Sequence, residues 1–209
     1  MSRTNLSMSI STDGYVAGPH QSEEHPLGIG GEALHRWHLG PDAEHPVNRQ
    51  VVSEMLDGMK ATIMGRNMFG PVRGEWDEPW DGWWGDEPPY HAPVFVLTHH
   101  EREPVEMAGG TTFFFVTEGF AEAHRRAVEA AGDRPVHIAG GASTVRQALE
   151  AGIVDQLALD IAPVLLGGGE RLFDGVGDFP FAPVEVLHSP LATHVRYRRT
   201  GPKRGAARA

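Results

Sequence analysis

In the segment VHIAGGASTVRQALE, residues 136–150, an apolar strand runs into a helix through only two glycines. Residues 136–139 are short, apolar and β-branched, which is typical of a buried strand. Residues 143–150 are good helix formers and place two aliphatic side chains four positions apart on one face. We expect Ser143 or Thr144 to cap this helix. A strand followed so closely by a helix is a unit from which α/β sheets are built.

The two glycines, Gly140 and Gly141, have two explanations. A strand-to-helix turn through them brings bare backbone amides to a helix N-terminus, where a phosphate group binds favourably. A tight turn that needs a positive φ angle also explains them, since glycine adopts such angles at no steric cost. Other parts of the sequence are needed to distinguish a phosphate site from a plain turn.

Strand and helix patterns alternate along the rest of the chain. Apolar residues at helical spacing predict helices over 47–59, 120–131 and 143–150. Strands are predicted at 5–10, 61–64, 93–98, 111–117, 136–139 and 156–166, and an antiparallel hairpin at 184–188 and 193–198. This order predicts an α/β fold, a mixed sheet of about eight strands flanked by helices and ending in the hairpin. Residues 1–200 are expected to form one domain and 201–209 a basic tail.

Composition excludes several classes of protein and site. The chain has 209 residues and no cysteine, which excludes disulfides, thiolate metal sites and cysteine nucleophiles. A net charge of −10 argues against a nucleic-acid surface, although basic residues without acidic neighbours follow from Arg196 onward. Neither a signal peptide nor an apolar run of the ~20 residues needed for a membrane span is visible. We therefore expect a cytoplasmic protein without nucleic-acid or membrane partners.

Three strands are predicted to end in groups that bind phosphate. The segment TIMGRNMF, at 62–69, places Arg66 and Asn67 after an apolar run, and an arginine there can pair bidentately with a phosphate. The segment VLTHH, at 96–100, supplies a hydroxyl and two imidazoles, and the glycine turn is the third group. Open α/β sheets bind ligands at the carboxyl ends of their strands, so we expect a dinucleotide there. Neither G-x-G-x-x-G nor a Gly-Lys-Ser/Thr phosphate loop occurs in the sequence.

Residues 70–93, GPVRGEWDEPWDGWWGDEPPYHAP, contain four of the five tryptophans and five prolines. So many prolines exclude a regular helix or strand, and the aromatic content argues against disorder. One interpretation is a surface flap that packs its own aromatic rings, at a contact between subunits. The other is a lid in which Trp83, Trp84 or Tyr90 stacks on a flat heterocyclic substrate and keeps water out. We expect this loop to lie away from the three phosphate-binding strand ends.

Five segments resemble the dihydrofolate reductase-like superfamily, in the family's order and over most of the chain. They are SISTDGYVAGP (9–19), TIMGRNMF (62–69), PVFVLTHH (93–100), VHIAGGASTVRQAL (136–149) and VDQLALDIAPVLLGGGERLF (154–173). The resemblance is closest to the reductase domain of bacterial riboflavin biosynthesis and its stand-alone relatives. It implies NADPH as hydride donor, a small-molecule substrate and a homodimer. In this family the Gly-Gly peptide bond is often cis.

The resemblance also implies which residues hold the cofactor. The expected contacts are Ala17, Gly65, Arg66, Asn67, Thr98, His99, Gly140, Gly141, Ala142, Ser143, Thr144 and Leu166. Arg66 and the strand end at 98–99 would meet the adenosine phosphate, and the turn at 140–144 would lie under the pyrophosphate. Residues 166–168 would form a wall of the nicotinamide site.

The implied activity is reduction of a conjugated C=N or C=O bond in a small heterocycle, as in 5-amino-6-(5-phosphoribosylamino)uracil reductase. Riboflavin-pathway reductases of this family are usually fused to a zinc deaminase, whose signature H-x-E…P-C-x-x-C is absent from this sequence. Dihydrofolate reductases keep a carboxylate on the first long helix, where this chain has Glu54 and Asp57 at polar-face spacing. A pterin reductase and a nucleotide-binding protein without turnover remain the alternatives.

Two carboxylates are candidates for the catalytic proton donor. Asp160 interrupts the apolar strand LALDIAPVLL, where a buried carboxyl group needs a partner; on a half-exposed strand it is an ordinary alternate-face residue. Asp13, in the turn TDG, either touches the ligand or only forms the turn. His35, beside Trp37 and at H-x-x-H spacing with His38, is taken as a substrate contact. A zinc pair would lack a third ligand, so no metal site is predicted.

Overall fold

The computed structural model describes residues 3–57, 59–71, 73–76, 79–177 and 180–201. Its strands are β1 (Thr4–Ser11), β2 (Tyr15–Ala17), β3 (Thr62–Gly65), β4 (Pro93–Leu97), β5 (Val105–Glu106), β6 (Thr112–Val116), β7 (Val136–Gly140), β8 (Gln156–Ala162), β9 (Glu170–Arg171), β10 (Phe181–Ser189) and β11 (Ala192–Arg199). Its α-helices are α1 (Pro46–Asp57), α2 (Arg66–Phe69), α3 (Phe120–Ala131) and α4 (Ala142–Glu150). Short 3-10 helices lie at Gly31–His35, Pro41–Glu44 and Ala108–Gly110. The expected basic tail, at 202–209, lies outside the described residues.

Nine strands form one sheet in the order β10-β11-β8-β1-β7-β3-β4-β6-β5. The strands from β8 to β6 are parallel to their neighbours, which places their carboxyl ends along one edge. Antiparallel strands complete both ends of the sheet, with the β10–β11 hairpin at one end and β5 at the other. The predicted mixed α/β sheet ending in an antiparallel hairpin is therefore confirmed. Strands β2 and β9 pair separately in a small antiparallel sheet.

Each face of the sheet has its own apolar core. Consecutive strand residues point to opposite faces, so Ile63 belongs to the core under α3 and α4, while Met64 belongs to the core on the other face. Helix α3 buries Phe120, Ala123 and Ala127, the spacing expected of one helical face. None of the described helices has the length and apolar character needed to cross a membrane.

Several local expectations differ from the structure. Strand β8 ends at Ala162 rather than at residue 166, because Pro163 has no amide hydrogen for the ladder. The prediction that Ser143 or Thr144 caps α4 was wrong, since the helix begins one residue earlier and Gly141 occupies the cap position. The turn of helix α2 and the short strands β2, β5 and β9 were not predicted. The described residues of 70–92 contain no helix or strand, as the prolines indicate.

Candidate functional site

A cavity of about 800 Å³ opens at the carboxyl edge of the sheet, where β7, β3 and β4 end side by side. Most of its lining comes from residues 16–39, residues 65–84, the strand end at 97–100 and the turn at 139–144. The expected cofactor contacts that line it are Ala17, Gly65, Arg66, Asn67, Thr98, His99, Gly140, Gly141, Ala142, Ser143 and Thr144. Parallel pairing thus brings together segments that are far apart in the sequence.

The turn from β7 into α4 presents backbone to this cavity. The peptide bond between Gly140 and Gly141 is cis, and Gly140 has a φ of +128°, a conformation that favours glycine. Gly141 has an ordinary φ of −78°, and a Cβ built on it would meet no atom within 4 Å. The first amides of a helix have no acceptor within the helix. In α4 no described side chain caps them either. Such a helix N-terminus is suited to binding an anion.

The groups that hold Arg66 at the end of β3 include two hydrogen-bond acceptors and an aromatic ring. Its Nη1 donates to Thr98 Oγ1 at 3.1 Å, and its Nη2 donates to the Gly74 carbonyl at 3.2 Å. The guanidinium carbon lies 3.1 Å from the centroid of the Trp76 ring. The side chain is only 8% exposed, yet it lines the cavity. A buried cation is therefore fixed beside the strand end that carries Thr98 and His99.

The tryptophan-rich loop contacts this strand end directly. Trp76 stacks on Arg66, and its Nε1 donates to the His100 carbonyl at 3.1 Å. Trp80 Nε1 donates to the Phe69 carbonyl at 2.8 Å, which ties the middle of the loop to α2. The prediction that the loop lies away from the three strand ends was therefore wrong for its first half. Proline excluded regular structure there, but it carried no information about where the loop would pack.

The three aromatic residues predicted to contact substrate occupy two layers. Trp83 and Trp84 line the cavity. Tyr90 is buried behind them, with its ring 5.2 Å from that of Trp84 and close to Phe113, and it is not among the described lining residues. Burial raises the pKa of the Tyr90 hydroxyl. Tyr90 thus supports the wall that Trp84 forms.

Asp13 ties two loops together beside the sheet. Its carboxylate accepts hydrogen bonds from Ser11 Oγ at 2.6 Å and from the amides of Leu166 at 3.1 Å and Gly167 at 2.7 Å. The Ser11 bond, with these amides, holds the pKa of Asp13 at about 2, so the group stays ionised. Neither Asp13 nor Leu166 is among the described residues that line the cavity. The observed bonds are those of a loop-fixing residue.

Asp160 lies behind the cavity rather than in its lining. Asp160 is 4% exposed, and its carboxylate lies 2.7 Å from His194 Nδ1. The His194 ring packs edge-on against Trp37, at 4.8 Å between centroids, and the Trp37 ring in turn lies 4.5 Å from that of His38. The charge of Asp160 acts on His38 in the lining, where it raises the pKa against the effect of burial. The geometry therefore gives Asp160 an indirect route to the cavity.

Two of the histidines that line the cavity, His35 and His38, contact each other. His35 Nδ1 lies 2.9 Å from His38 Nε2, a distance at which the imidazoles share a hydrogen bond. Burial lowers the pKa of His35 to about 4, helped by the neighbouring His38. Burial also lowers the pKa of His38, while Asp160 opposes that shift. At neutral pH the pair is uncharged and presents N–H and N groups. Among the described residues, no group of three or more histidine or acidic side chains could hold a metal ion.

The carboxylates of α1 do not line the cavity. Glu54 forms an ion pair with Arg196, which also pairs with Glu185 at 2.8 Å. A hydrogen bond from Gln50, together with Arg196, lowers the pKa of Glu54. Among the described residues, Glu170 is the only acidic residue in the lining, and it is exposed. The carboxylate expected of a pterin reductase is therefore not found in the described lining.

Sequence reasoning missed part of the lining. Arg73 and Gln21 both line the cavity and contact each other, with Nη2 of the arginine donating to Oε1 of the glutamine at 3.5 Å. Burial lowers the pKa of Arg73, and Glu170 opposes this shift. These residues lie in loops without periodicity or motif, so no local signal identified them. His38 was considered only as a zinc ligand, although its spacing from His35 was the signal that placed both together.

Comparisons with known proteins agree with this architecture. The family model named RibD C-terminal domain matches residues 4–186. A Shewanella sp. PV-4 protein described as a riboflavin biosynthesis protein aligns with a TM-score of 0.67 and 20% identity, over 95% of this chain and 99% of that one. A pyrimidine reductase-like protein from Corynebacterium diphtheriae aligns with a TM-score of 0.57 and 15% identity, over 94% and 91%.

A larger protein contains the same fold as one part. The Thermotoga maritima diaminohydroxyphosphoribosylaminopyrimidine deaminase/5-amino-6-(5-phosphoribosylamino)uracil reductase aligns with a TM-score of 0.57 and 16% identity, over 95% of this chain and 56% of that one. No curated protein matches the chain. At these identities the solved structures establish the fold alone, whereas the family model covers most of the sequence. The chain therefore belongs to the RibD C-terminal domain family.

Proposed function

We propose that the protein is an NADPH-dependent reductase of a small, flat heterocyclic substrate, of the kind reduced in riboflavin biosynthesis. The observation that carries the proposal is the cavity at the carboxyl edge of the sheet. It joins an uncapped helix N-terminus and a buried arginine to a wall of tryptophan and neutral histidine. Family membership and the names of the structural neighbours support a reductase.

The donors around the cavity fit a dinucleotide with an extra phosphate. The first amides of α4 and the hydroxyls of Ser143 and Thr144 suit a pyrophosphate. Arg66 adds a positive charge, and Thr98 and His99 add polar groups at the next strand end. The open space at Gly141 leaves room for a group to approach the backbone. When bound, NADPH supplies the hydride.

The remaining lining suits an uncharged ring system. Trp83 and Trp84 offer flat apolar surfaces, and the rings would exclude water from a bound heterocycle. His35 and His38 offer N–H and N groups that pair with the ring nitrogens or carbonyls of a pyrimidine. The absence of an acidic residue from the described inner lining favours a pyrimidine over a pterin that is read by a carboxylate.

The histidine pair is also the best-placed source of a proton. The imidazoles share a hydrogen bond inside the cavity, so a proton can be held at His38 Nε2 or His35 Nδ1. Asp160 lies behind them, and its charge favours the protonated form of His38. In this proposal Asp160 acts as a positioning residue that favours transient protonation of His38 by solvent; the imidazolium then passes that proton to the substrate and returns to the neutral ring.

The proposal is tested by binding and then by turnover. Calorimetric titration with NADPH and NADH should show tighter binding of NADPH. Loss of the nicotinamide absorbance should then follow the addition of 5-amino-6-(5-phosphoribosylamino)uracil but not of dihydropteridines. Failure to bind either nucleotide would contradict the cofactor assignment. Binding without turnover on either class of substrate would favour a nucleotide-binding protein.

A further inference from the structure

We propose that Trp76 positions Arg66 and thereby sets the preference of the site for a phosphorylated adenosine. The tryptophan-rich loop, residues 70–92, then belongs to the cofactor site as well as to the substrate wall. This inference rests on the proposed function, because it concerns the phosphate that distinguishes NADPH from NADH. It goes beyond that function in assigning the discrimination to a residue that does not itself line the cavity.

The contact between Trp76 and Arg66 is close and joins a half-buried ring to a buried guanidinium. The guanidinium carbon lies 3.1 Å from the ring centroid, well inside the range of cation–π contacts. The Thr98 hydroxyl and the Gly74 carbonyl hold the two terminal nitrogens. The stacked ring thus supplies a third support, which restricts rotation of the guanidinium out of its plane. Such restriction lowers the conformational entropy lost when a ligand binds.

Trp76 is itself fixed against the sheet. Its Nε1 donates to the His100 carbonyl at 3.1 Å, immediately after Thr98 and His99. Its ring packs edge-on against Phe115, at 5.0 Å, and against Phe69, at 6.0 Å. The guanidinium of Arg102 lies 4.8 Å from the same ring. Because β6, α2 and the residues after β4 hold the ring, the guanidinium of Arg66 stacks on a surface that is fixed relative to the sheet.

A side chain that only packs the loop would affect all nucleotides equally. A side chain that orients Arg66 would affect only ligands that carry the phosphate which Arg66 contacts. The two roles therefore differ in the ratio of NADH to NADPH dissociation constants rather than in affinity as such. This ratio is independent of turnover and of the identity of the substrate.

The test uses the 209-residue protein, the variants Trp76→Leu and Trp76→Phe, and the matched control Trp80→Leu, together with Arg66→Ala alone and combined with Trp76→Leu. Trp80 lies in the same loop and donates to the Phe69 carbonyl, but its ring packs on Trp83 rather than on Arg66. Dissociation constants are measured by calorimetry for NADPH, NADH and adenosine 2′,5′-bisphosphate. The last probe carries the distinguishing phosphate without the nicotinamide.

Trp76→Leu should raise the dissociation constants of NADPH and adenosine 2′,5′-bisphosphate about tenfold, the scale of a desolvated cation–π contact. The dissociation constant of NADH should change less than about twofold. Trp76→Phe keeps an aromatic face and should retain most of the preference. Trp80→Leu should leave the ratio unchanged. In an Arg66→Ala background, Trp76→Leu should have no further effect on the ratio, because the residue it positions is missing.

Two results would overturn this inference but leave the proposed function intact. One is an equal loss of NADPH and NADH affinity in Trp76→Leu, which would indicate a packing role. The other is an unchanged ratio in that variant while Arg66→Ala abolishes the preference. An unmodified protein that binds neither nucleotide, or both equally, would instead refute the proposed function and the inference with it.

Discussion

His137 is a titratable side chain placed in the interior of the sheet. It lies on β7 in register with Asn5 of β1 and Thr62 of β3, and it is 6% exposed. Burial lowers its pKa from 6.5 to about 4, because the imidazolium would lose its hydration. The unfolded chain therefore binds a proton at higher pH than the folded protein does. The stability that this difference contributes is complete above pH ~6.5 and is lost as the pH falls towards 4.

We expect His137→Leu to flatten the pH dependence of stability. Between pH ~7 and ~4.5 the free energy of unfolding should fall by about 2 kcal/mol less in the variant than in the parent. Urea unfolding at both pH values measures the difference. Replacement of the exposed His188 by Gln is the control and should leave the pH dependence unchanged. An equal fall in parent and His137→Leu would show that the folded protein accommodates the charged ring.

In the turn between β7 and α4, Gly141 can be replaced without a steric clash and without backbone strain. Gly141→Val adds its side chain where no atom lies within 4 Å and where φ is −78°, so we expect a folded protein. The added methyl groups occupy the space proposed for the pyrophosphate, and nucleotide affinity should fall at least about tenfold. Gly177→Val, also without neighbours within 4 Å and outside the described lining, is the matched control. Normal NADPH titration of a folded Gly141→Val protein would reduce the two glycines to a plain turn.

The second half of the tryptophan-rich loop supports a different expectation. Trp84 lines the cavity and rests on Tyr90 and Phe113, with centroid distances of 5.2 and 5.9 Å. Trp84→Ala should raise the KM for substrate about tenfold by removing a stacking surface, yet change the Kd of NADPH less than about twofold. Steady-state kinetics and calorimetry on the same preparation measure the two effects. Equal losses in both would mean that Trp84, like Trp76, serves the cofactor.

The elements that sequence reasoning predicted are those with a repeating pattern. Helix α3 was predicted at its observed bounds, because its alanines and Phe120 repeat at helical spacing. Strands β2 and β9 have only three and two residues, too few for an alternation to be recognised. Helix α2 is a single turn and follows its strand without a loop. Short elements such as these owe their conformation to tertiary contacts rather than to local preference.

In the whole molecule, the terminal strand β10 exposes apolar side chains to solvent. Val184 and Val186 on β10 are 52% and 60% exposed, and β10 is the terminal strand of the sheet. Edge strands of this kind pair readily with a second chain. We expect a homodimer in solution and a monomer after Val186→Lys, measured by light scattering. Leu165→Lys changes an exposed apolar residue away from this edge and should leave the mass unchanged. A monomeric parent would contradict the expectation.

The site was predictable where it follows strand ends and not where it depends on distant loops. Arg66, Thr98 and Gly141 could be predicted because parallel strands bring their carboxyl ends to one edge. Trp76 could not be placed on Arg66, since a proline-rich loop has no periodicity from which its path follows. Asp160 was recognised as unusual in an apolar strand, but its partner His194 lies 34 residues further on. Neither residue type nor spacing predicts a contact between residues so far apart in the sequence.

The position of β1 in the middle of the sheet determines when this strand can fold during synthesis of the chain. Thr4–Ser11 pairs only with strands that begin at Val136 and Gln156, so both neighbours are synthesised long after it. At translation rates of roughly 5–20 residues per second, the first strand waits on the order of ten seconds for its partners. Its alternating serine and apolar residues keep one face hydrated during that interval. Strand β1 therefore cannot complete its pairing until β8 has emerged from the ribosome.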